Sequence, residues 1–179
     1  MMSATRLVLP TLAAVAIGGC AANTSNATQN TDADVKAIDA IRAREVAIVT
    51  SGSVDSMSAI YTDDVDFMPP GEPAIHGIEA AKKWTQAMMA QMNLAANYTS
   101  SRVTVSGDLA VDRYTGTFGG TPKAGGPAMT EVIKGVHVLK RQPGGGWKIM
   151  IDTYNADAPE APPATAPTAD AKKDAAKKK

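Results

Sequence analysis

The sequence predicts an α+β domain in which helices pack on one face of a curved antiparallel sheet. Three observations carry that expectation. Apolar residues recur at helical spacing up to about residue 94 and alternate after Ala96. All eight aromatic residues fall between Tyr61 and Tyr154, which places the core between them. The 179-residue length fits one domain with a sizeable core. The folded part is expected at residues 34–155, with 12 basic and 13 acidic residues. The whole chain carries 18 of each sign, a balance that argues against a nucleic-acid partner. A single cysteine excludes an intrachain disulfide and a cysteine-based zinc site.

Val35, Ile38, Ile41, Val46 and Val49 follow helical spacing, with Thr31 or Asp32 as cap and Gly52 as stop. Ser53 caps a short second helix carrying Val54, Met57, Ile60 and Tyr61. Residues 65–68 form a short extended piece closed by Pro69-Pro70-Gly71, and Pro73 and Gly77 keep the next stretch in loop. Residues 78–94 contain neither Gly nor Pro and predict a third helix carrying Trp84, Met88, Met89 and Met92. Residues 98–106 alternate, with Val103 and Val105 on one face, and Gly107-Asp108 marks a hairpin into a strand at 109–118. Residues 119–127 read as a Gly/Pro-rich loop. Met129–Arg141 is long enough for a central strand, and Pro143-Gly144-Gly145-Gly146 turns the chain into a last strand at 147–155. The predicted order is three helices with a short strand among them, then a four-stranded antiparallel meander.

The flanks differ in character. Residues 1–19 hold one positive charge, Arg6, then an apolar run at 7–17. As a helix this run reaches roughly 16 Å, against about 30 Å for a hydrocarbon core, so it reads as a signal-peptide segment rather than a span. Ile17-Gly18-Gly19-Cys20 resembles a bacterial lipoprotein box, in which the cysteine is lipidated. Residues 20–33 are small and polar and read as a flexible tether. Ala21 after the cysteine, by resemblance to lipoprotein sorting, implies an anchor in the outer membrane facing the periplasm. Residues 156–179 are rich in Ala, Pro and Lys and read as a disordered, solubilising tail.

Four segments carry a family likeness: VTSGSVDSMSAIYTDD at 49–64, AIHGIEA at 74–80, SGDLAVDRYTGTF at 106–118 and GGGWKIMIDTYN at 144–155. They resemble the SnoaL-like branch of the nuclear-transport-factor-2-like superfamily, which includes ketosteroid isomerases, polyketide cyclases and dehydratases. The resemblance covers about 120 residues and implies a cone-shaped fold with a cavity between the helices and the concave sheet face. It also implies a homodimer formed through the outer sheet face, here Val132, Lys134, Val136 and Val138. Laid on the isomerase pattern, the base position falls at about Pro69, the helix-one phenol on Glu45 and the second acid at or beside His137. Pro69 cannot transfer a proton and Glu45 is not a phenol, so the isomerase machinery is not carried over.

Strand alternation selects the residues that can face the cavity. On Met129–Arg141 these are Met129, Glu131, Ile133, Gly135, His137 and Leu139. On the preceding strand they are Ala110, Asp112, Tyr114, Gly116 and Phe118. On the last strand Lys148, Met150, Asp152 and Tyr154 share one face, and Trp147, Ile149, Ile151 and Thr153 the other. A histidine beside a carboxylate suits acid/base work near neutrality, and His137 with Asp112, Glu131 or Asp152 is the set that can be assembled. Tyr61, Trp84, Met88, Met92, Tyr114 and Tyr154 are the expected cavity lining, with the two methionines adapting to ligand shape. His76 is expected to serve its loop, and Asp63 and Asp64 the local backbone. Neither a metal nor a cofactor is expected: no calcium-spaced oxygen loop and no phosphate-binding glycine loop is present. The sequence therefore predicts an envelope-anchored domain binding a small, largely apolar molecule. Its alternatives are an acid/base isomerase, cyclase or dehydratase using His137 and a carboxylate, and a non-catalytic dimeric interaction module.

Overall fold

The computed structural model describes residues 32–158. The expected signal peptide, Cys20, nearly all of the tether and the tail from residue 159 lie outside the described residues. Within them no helix is long and apolar enough to cross a membrane.

The chain opens with α1 (Asp32–Ser51), a 3-10 helix (Val54–Ala59), β1 (Tyr61–Met68) and β2 (Ile75–His76). It continues with α2 (Ile78–Gln91), β3 (Met92–Ser106), β4 (Leu109–Pro122), β5 (Met129–Arg141) and β6 (Trp147–Ala156). One six-stranded sheet runs in the order β2-β1-β6-β5-β4-β3. Its pairings are antiparallel except β1 with β6, which run parallel. The expected meander is β3 to β6, and the α+β layout is the one observed.

Several local expectations are corrected. Tyr61 opens β1 rather than ending the second helix, and residues 75–76 pair with β1 where a loop was expected. The last helix stops at Gln91, so Met92 belongs to β3 and not to the Trp84–Met88 helical stripe. Leu94, Ala95 and Ala96 favour a helix by themselves, but β3 pairs with β4 from Met92 opposite Pro122 onward, and the ladder overrides that propensity. For the same reason residues 119–122, expected in loop, extend β4.

Two bulges break strict alternation. In β3, Tyr98 pairs with Gly116 and Ser100 with Thr115, leaving Thr99 as the extra residue. Tyr98 and Val105 therefore both face inward although they stand seven positions apart, an odd offset. In β6, Ile149 pairs with Leu139 and Ile151 with Val138, leaving Met150 unmatched. Trp147, Ile149 and Asp152 are consequently all buried, whereas uniform alternation put Asp152 on the face opposite the other two.

The inward stripe of α1 is Asp34, Ile38, Ile41, Arg42, Glu45 and Ile48, half of it charged. Its isoleucines meet Ile60, Val65, Leu139, Trp147 and Ile149 in the core. Asp34 locks the start of the helix to the sheet. Arg141 donates to both its oxygens at 2.8 and 3.2 Å, and Trp147 Nε1 donates to Oδ1 at 3.0 Å. The Arg141 guanidinium also lies 4.2 Å from the Trp147 ring centre. Further along the concave face, Tyr114 lies across Gly135, its partner on β5.

A Cβ on Gly135 would overlap the Tyr114 ring and stand 2.7 Å from the Thr153 carbonyl oxygen. Gly135→Ala is therefore expected to destabilise the domain by about 1–3 kcal/mol in urea titration. Gly144→Ala, where a Cβ meets nothing within 4 Å, is the control and should change stability little.

Candidate functional site

Helices α1 and α2 stand off the concave sheet face at the end away from the Asp34 lock, leaving a cavity of about 80 Å³. Val46, Ile48, Val49, Met57 and Ile60 line one side, and Phe67, Trp84, Met88 and Leu94 another. Phe67 meets Trp84 edge to face at 5.3 Å, and Phe118 meets Tyr154 at 5.6 Å. One wall is polar, formed by Glu45, Tyr61, Tyr98 and Asp152. One water needs about 10–15 Å³, so this volume holds a few waters or a small organic fragment. Larger guests require Met88 and its neighbours to shift, which an unbranched side chain allows.

The polar wall is tightly connected. The Tyr61 hydroxyl oxygen stands 2.7 Å from Glu45 Oε1 and 2.8 Å from Asp152 Oδ2. The Tyr98 hydroxyl donates to Glu45 Oε2. Behind the wall lies His137, wholly buried. Its Nε2 is 3.6 Å from Glu45 Oε2 and 3.5 Å from Asp152 Oδ1, and its Nδ1 is 3.6 Å from Asp112 Oδ2. These separations are ion pairs rather than close hydrogen bonds. Accordingly, both ring nitrogens, Asp112 Oδ1 and Asp152 Oδ1 have no hydrogen-bond partner. Arg42 on α1 donates to Asp112 and to the exposed Asp39. Tyr114 packs on the imidazole at 4.5 Å and meets Tyr98 edge to face at 4.9 Å.

Electrostatics follow from this geometry. Burial by itself would lower the His137 pKa, but the charges of Glu45 and Asp152 and the contacts to Asp112 outweigh it and raise it to about 10. His137 is therefore an imidazolium at neutral pH. Burial raises the Glu45 carboxyl above its ordinary value; His137 and the two phenols oppose that shift, and Asp152 adds to it. Burial also works to raise Asp112, yet contacts with His137 and Arg42 bring it below its ordinary value. Burial and then the neighbouring carboxylates push Tyr61 and Tyr98 well above the ordinary phenol value, so both act as donors.

The predicted residues divide clearly. His137, Asp112 and Asp152 do come together, but His137 and Asp112 sit behind the cavity wall and do not line it. Glu131 is exposed, six residues along β5 from His137, or roughly 20 Å, and does not join the set. Tyr61, Trp84, Met88 and Tyr154 line the cavity as expected. Met92 does not, and Leu94 on β3 lines it instead. Tyr114 is buried against His137, one layer beneath the wall. His76 is exposed on β2 with Nδ1 2.6 Å from Asp66, outside the cavity. Asp63 and Asp64 border a separate polar recess at the other end of the molecule. Two cations of that recess are already engaged, Arg141 by Asp34 and Lys148 by the Ser58 carbonyl.

Glu45, Arg42 and Tyr98 were not among the predicted site residues. The available signal was the position of Arg42 and Glu45, one helical turn apart on the stripe that carries Ile38, Ile41 and Ile48. The bulge at Thr99 conceals Tyr98. Among the described residues Glu45, His137 and Asp152 are also the one group whose ligand atoms, within 4.8 Å of one another, could surround a metal ion. A metal there would have to displace the proton on Nε2, since a ligating imidazole is neutral.

Residues 33–148 match the SnoaL-like domain family. The chain belongs to that family. Solved structures agree with this SnoaL-like fold. A proposed dehydratase of the NTF2-like family from Streptomyces avermitilis is 19% identical, covering 72% of this chain and 99% of its own, with a TM-score of 0.64. A ketosteroid isomerase-like protein from Erwinia carotovora atroseptica is 21% identical, covering 72% and 100%, at 0.62. An NTF2-like superfamily protein from Salmonella enterica serovar Typhimurium is 15% identical, covering 76% and 99%, at 0.67. No curated protein matches the SnoaL-like chain in sequence. At these identities the likeness establishes the fold, and the site has to be argued from its own residues.

Two outcomes follow for the ionic column. Asp112→Asn leaves Arg42 and His137 buried with less counter-charge, and is expected to cost about 3–5 kcal/mol of stability in denaturant titration. For His137, a folded pKa raised from 6.5 to about 10 contributes stability that is complete below pH 6.5 and is lost as pH rises to 10. The raised Glu45 acts in the same direction. Unfolding free energy should therefore decline across that window, and His137→Gln should flatten the decline.

Proposed function

We propose that this SnoaL-like domain binds a small, largely apolar molecule that carries one polar group. The observation that supports this most directly is a mainly apolar cavity whose two carboxyls, Glu45 and Asp152, are gathered on one wall with Tyr61 and Tyr98. Apolar walls supply affinity without direction, and the polar wall orients the guest by its one hydrogen-bonding group. Trp84 and Met88 border the space without filling it, which speaks against a purely structural interaction module.

A second reading is favoured by the placing of Glu45. It is an acid with a raised pKa, touching the cavity and backed by two phenols, and such a group suits an acid/base isomerisation, cyclisation or dehydration. In that reading Glu45 exchanges the proton with the guest. His137, which does not reach the cavity, sets the electrostatics of Glu45 and Asp152 and is a positioning residue. Asp112 and Arg42 hold His137 in turn.

The proposed setting is the bacterial envelope, with Cys20 lipidated in the outer membrane and the domain facing the periplasm. A homodimer through the outer sheet face is part of the same proposal. That face exposes Val132, 56% accessible, and Val111.

Trp84 lines the cavity, whereas Trp147 is buried at the Asp34 lock, so ligand entry should change the fluorescence of one tryptophan. The chain from residue 21 onward, purified gently, is expected to show a reproducible bound mass in native mass spectrometry. Readdition of the extracted molecule should quench Trp84. Leu94→Trp, which fills the cavity, should abolish both signals; binding that survives it unchanged sinks the cavity assignment. Separately, Cys20→Ser in the full chain should move the protein from the membrane fraction to the soluble fraction.

A further inference from the structure

The hydrogens available to the polar wall do not match the number of its close oxygen contacts. Tyr61 has one hydroxyl hydrogen, yet its oxygen lies within hydrogen-bond distance of two carboxylates, Glu45 at 2.7 Å and Asp152 at 2.8 Å. If both carboxylates were ionised, one of these contacts would bring two lone pairs together with no proton between them. Each contact is too short for a water to stand between the two oxygens, so a proton is what relieves it. The charges give the same answer independently. The buried cations are Arg42 and His137, and the carboxylates around them are Glu45, Asp112 and Asp152. Asp39 also touches Arg42 but is half exposed, so solvent screens it. Two cations against three carboxylates would leave one uncompensated negative charge in the interior, which is costly.

We propose that the resting site holds one additional proton, resident on Glu45, so that Glu45 faces the cavity as a neutral carboxylic acid. Every close donor then has one acceptor. Tyr98 O–H donates to Glu45 Oε2, Glu45 Oε1–H to the Tyr61 oxygen, and Tyr61 O–H to Asp152 Oδ2. His137 Nε2–H faces Asp152 Oδ1, which no other group partners. Arg42 and His137 are balanced by Asp112 and Asp152. The proton is placed on Glu45 because burial acts to raise its carboxyl, while Asp152 Oδ1 has no partner but the imidazolium at 3.5 Å. The titratable groups facing Glu45 are Tyr61 from β1, Tyr98 from β3, Tyr114 from β4, His137 from β5, and Asp152 and Tyr154 from β6. With Glu45 neutral, the charge of Asp152 and the contacts to Asp112 and Asp152 still act to keep His137 protonated. Glu45 is therefore the wall's proton donor, and the guest, once protonated and rearranged, returns a proton to the Glu45 carboxylate. This deepens the acid/base reading and rests on Glu45 as the cavity-facing acid.

The chain contains five glutamates, so the Glu45 carboxyl signal can be assigned by its loss in Glu45→Gln. The test is carbon-13 NMR of carboxyl-labelled Glu and Asp in the ligand-free chain from residue 21 onward. Between roughly pH 5 and 8, above the ordinary glutamate value of about 4.3, Glu45 is expected to keep the shift of a protonated carboxyl. Tyr61→Phe removes the acceptor of its proton and should move the Glu45 titration to lower pH; this variant serves if Glu45→Gln does not fold. A Glu45 signal that is ionised throughout, or a protonated signal on Asp152 instead, overturns the proposal. So does one equivalent of metal in protein purified without chelator, because a cation among Glu45, His137 and Asp152 requires the protons to leave. The Trp84 binding assay separates the two failures. A protonated Glu45 in a domain that binds nothing sinks the functional reading alone. Ligand binding beside an ionised Glu45 sinks this inference alone.

Discussion

A buried column of charge ties the first helix to the sheet, and the rest of the site is arranged around it. Arg42 reaches Asp112 from α1, Asp112 faces His137, and His137 faces Asp152 and Glu45. Taking these groups out of water is expensive, and their mutual attraction offsets the cost only where each charge has its partner in place. This requirement fixes how α1 lies over β4, β5 and β6 more narrowly than isoleucine packing does, because apolar contacts tolerate sliding and ion pairs do not. The Asp34–Arg141–Trp147 lock holds the same helix at its start. Between the two ionic anchors the isoleucines supply most of the burial.

The cavity is a by-product of the same arrangement. Near its C-terminal end α1 is held by Glu45 against two phenols that project from β1 and β3, so helix and sheet cannot close completely. Bulges at Thr99 and Met150 turn Tyr98 and Asp152 inward at the places the network needs them. Gly135 leaves room for the Tyr114 ring, which shields His137 from the cavity side. The imidazolium is thus an interior charge set back from the cavity, and the carboxyls that line the cavity are Glu45 and Asp152.

The SnoaL-like fold is a scaffold that other proteins use with different residues, so the function of this chain depends on what its own sequence places at the end of the cone. The isomerase comparison put a phenol at position 45 and an acid near 137. Here the acid stands at 45, a histidine at 137, and the phenols come from neighbouring strands. Position 137 carries neither a phenol nor an acid, so the isomerase arrangement does not carry over to these positions. The mixed-charge recess around Asp63, Asp64 and Lys140 is larger, at about 620 Å³, but it is open and its cations Arg141 and Lys148 are already paired.

The sequence by itself determined the α+β class, the four-strand meander, and the inward faces of β4 and β5. It did so because periodicity and turn residues act locally. It also picked out His137 and Asp112, since charged residues at inward positions of a strand stand out against an apolar background, and it offered Asp152 as a further carboxylate for His137. Tertiary structure decided the rest. Bulges depend on how two strands pair and leave no trace in either strand alone, so the face of Asp152 and the inward turn of Tyr98 could not be read. The end of α2 at Gln91 was set by pairing with β4, thirty residues onward. Glu131 and His137 share a strand face, but only the placing of the helices decides which part of that face is covered. Glu45 looked like an ordinary surface charge on a helix, and became the acid of the cavity only when β1, β3, β5 and β6 closed around it.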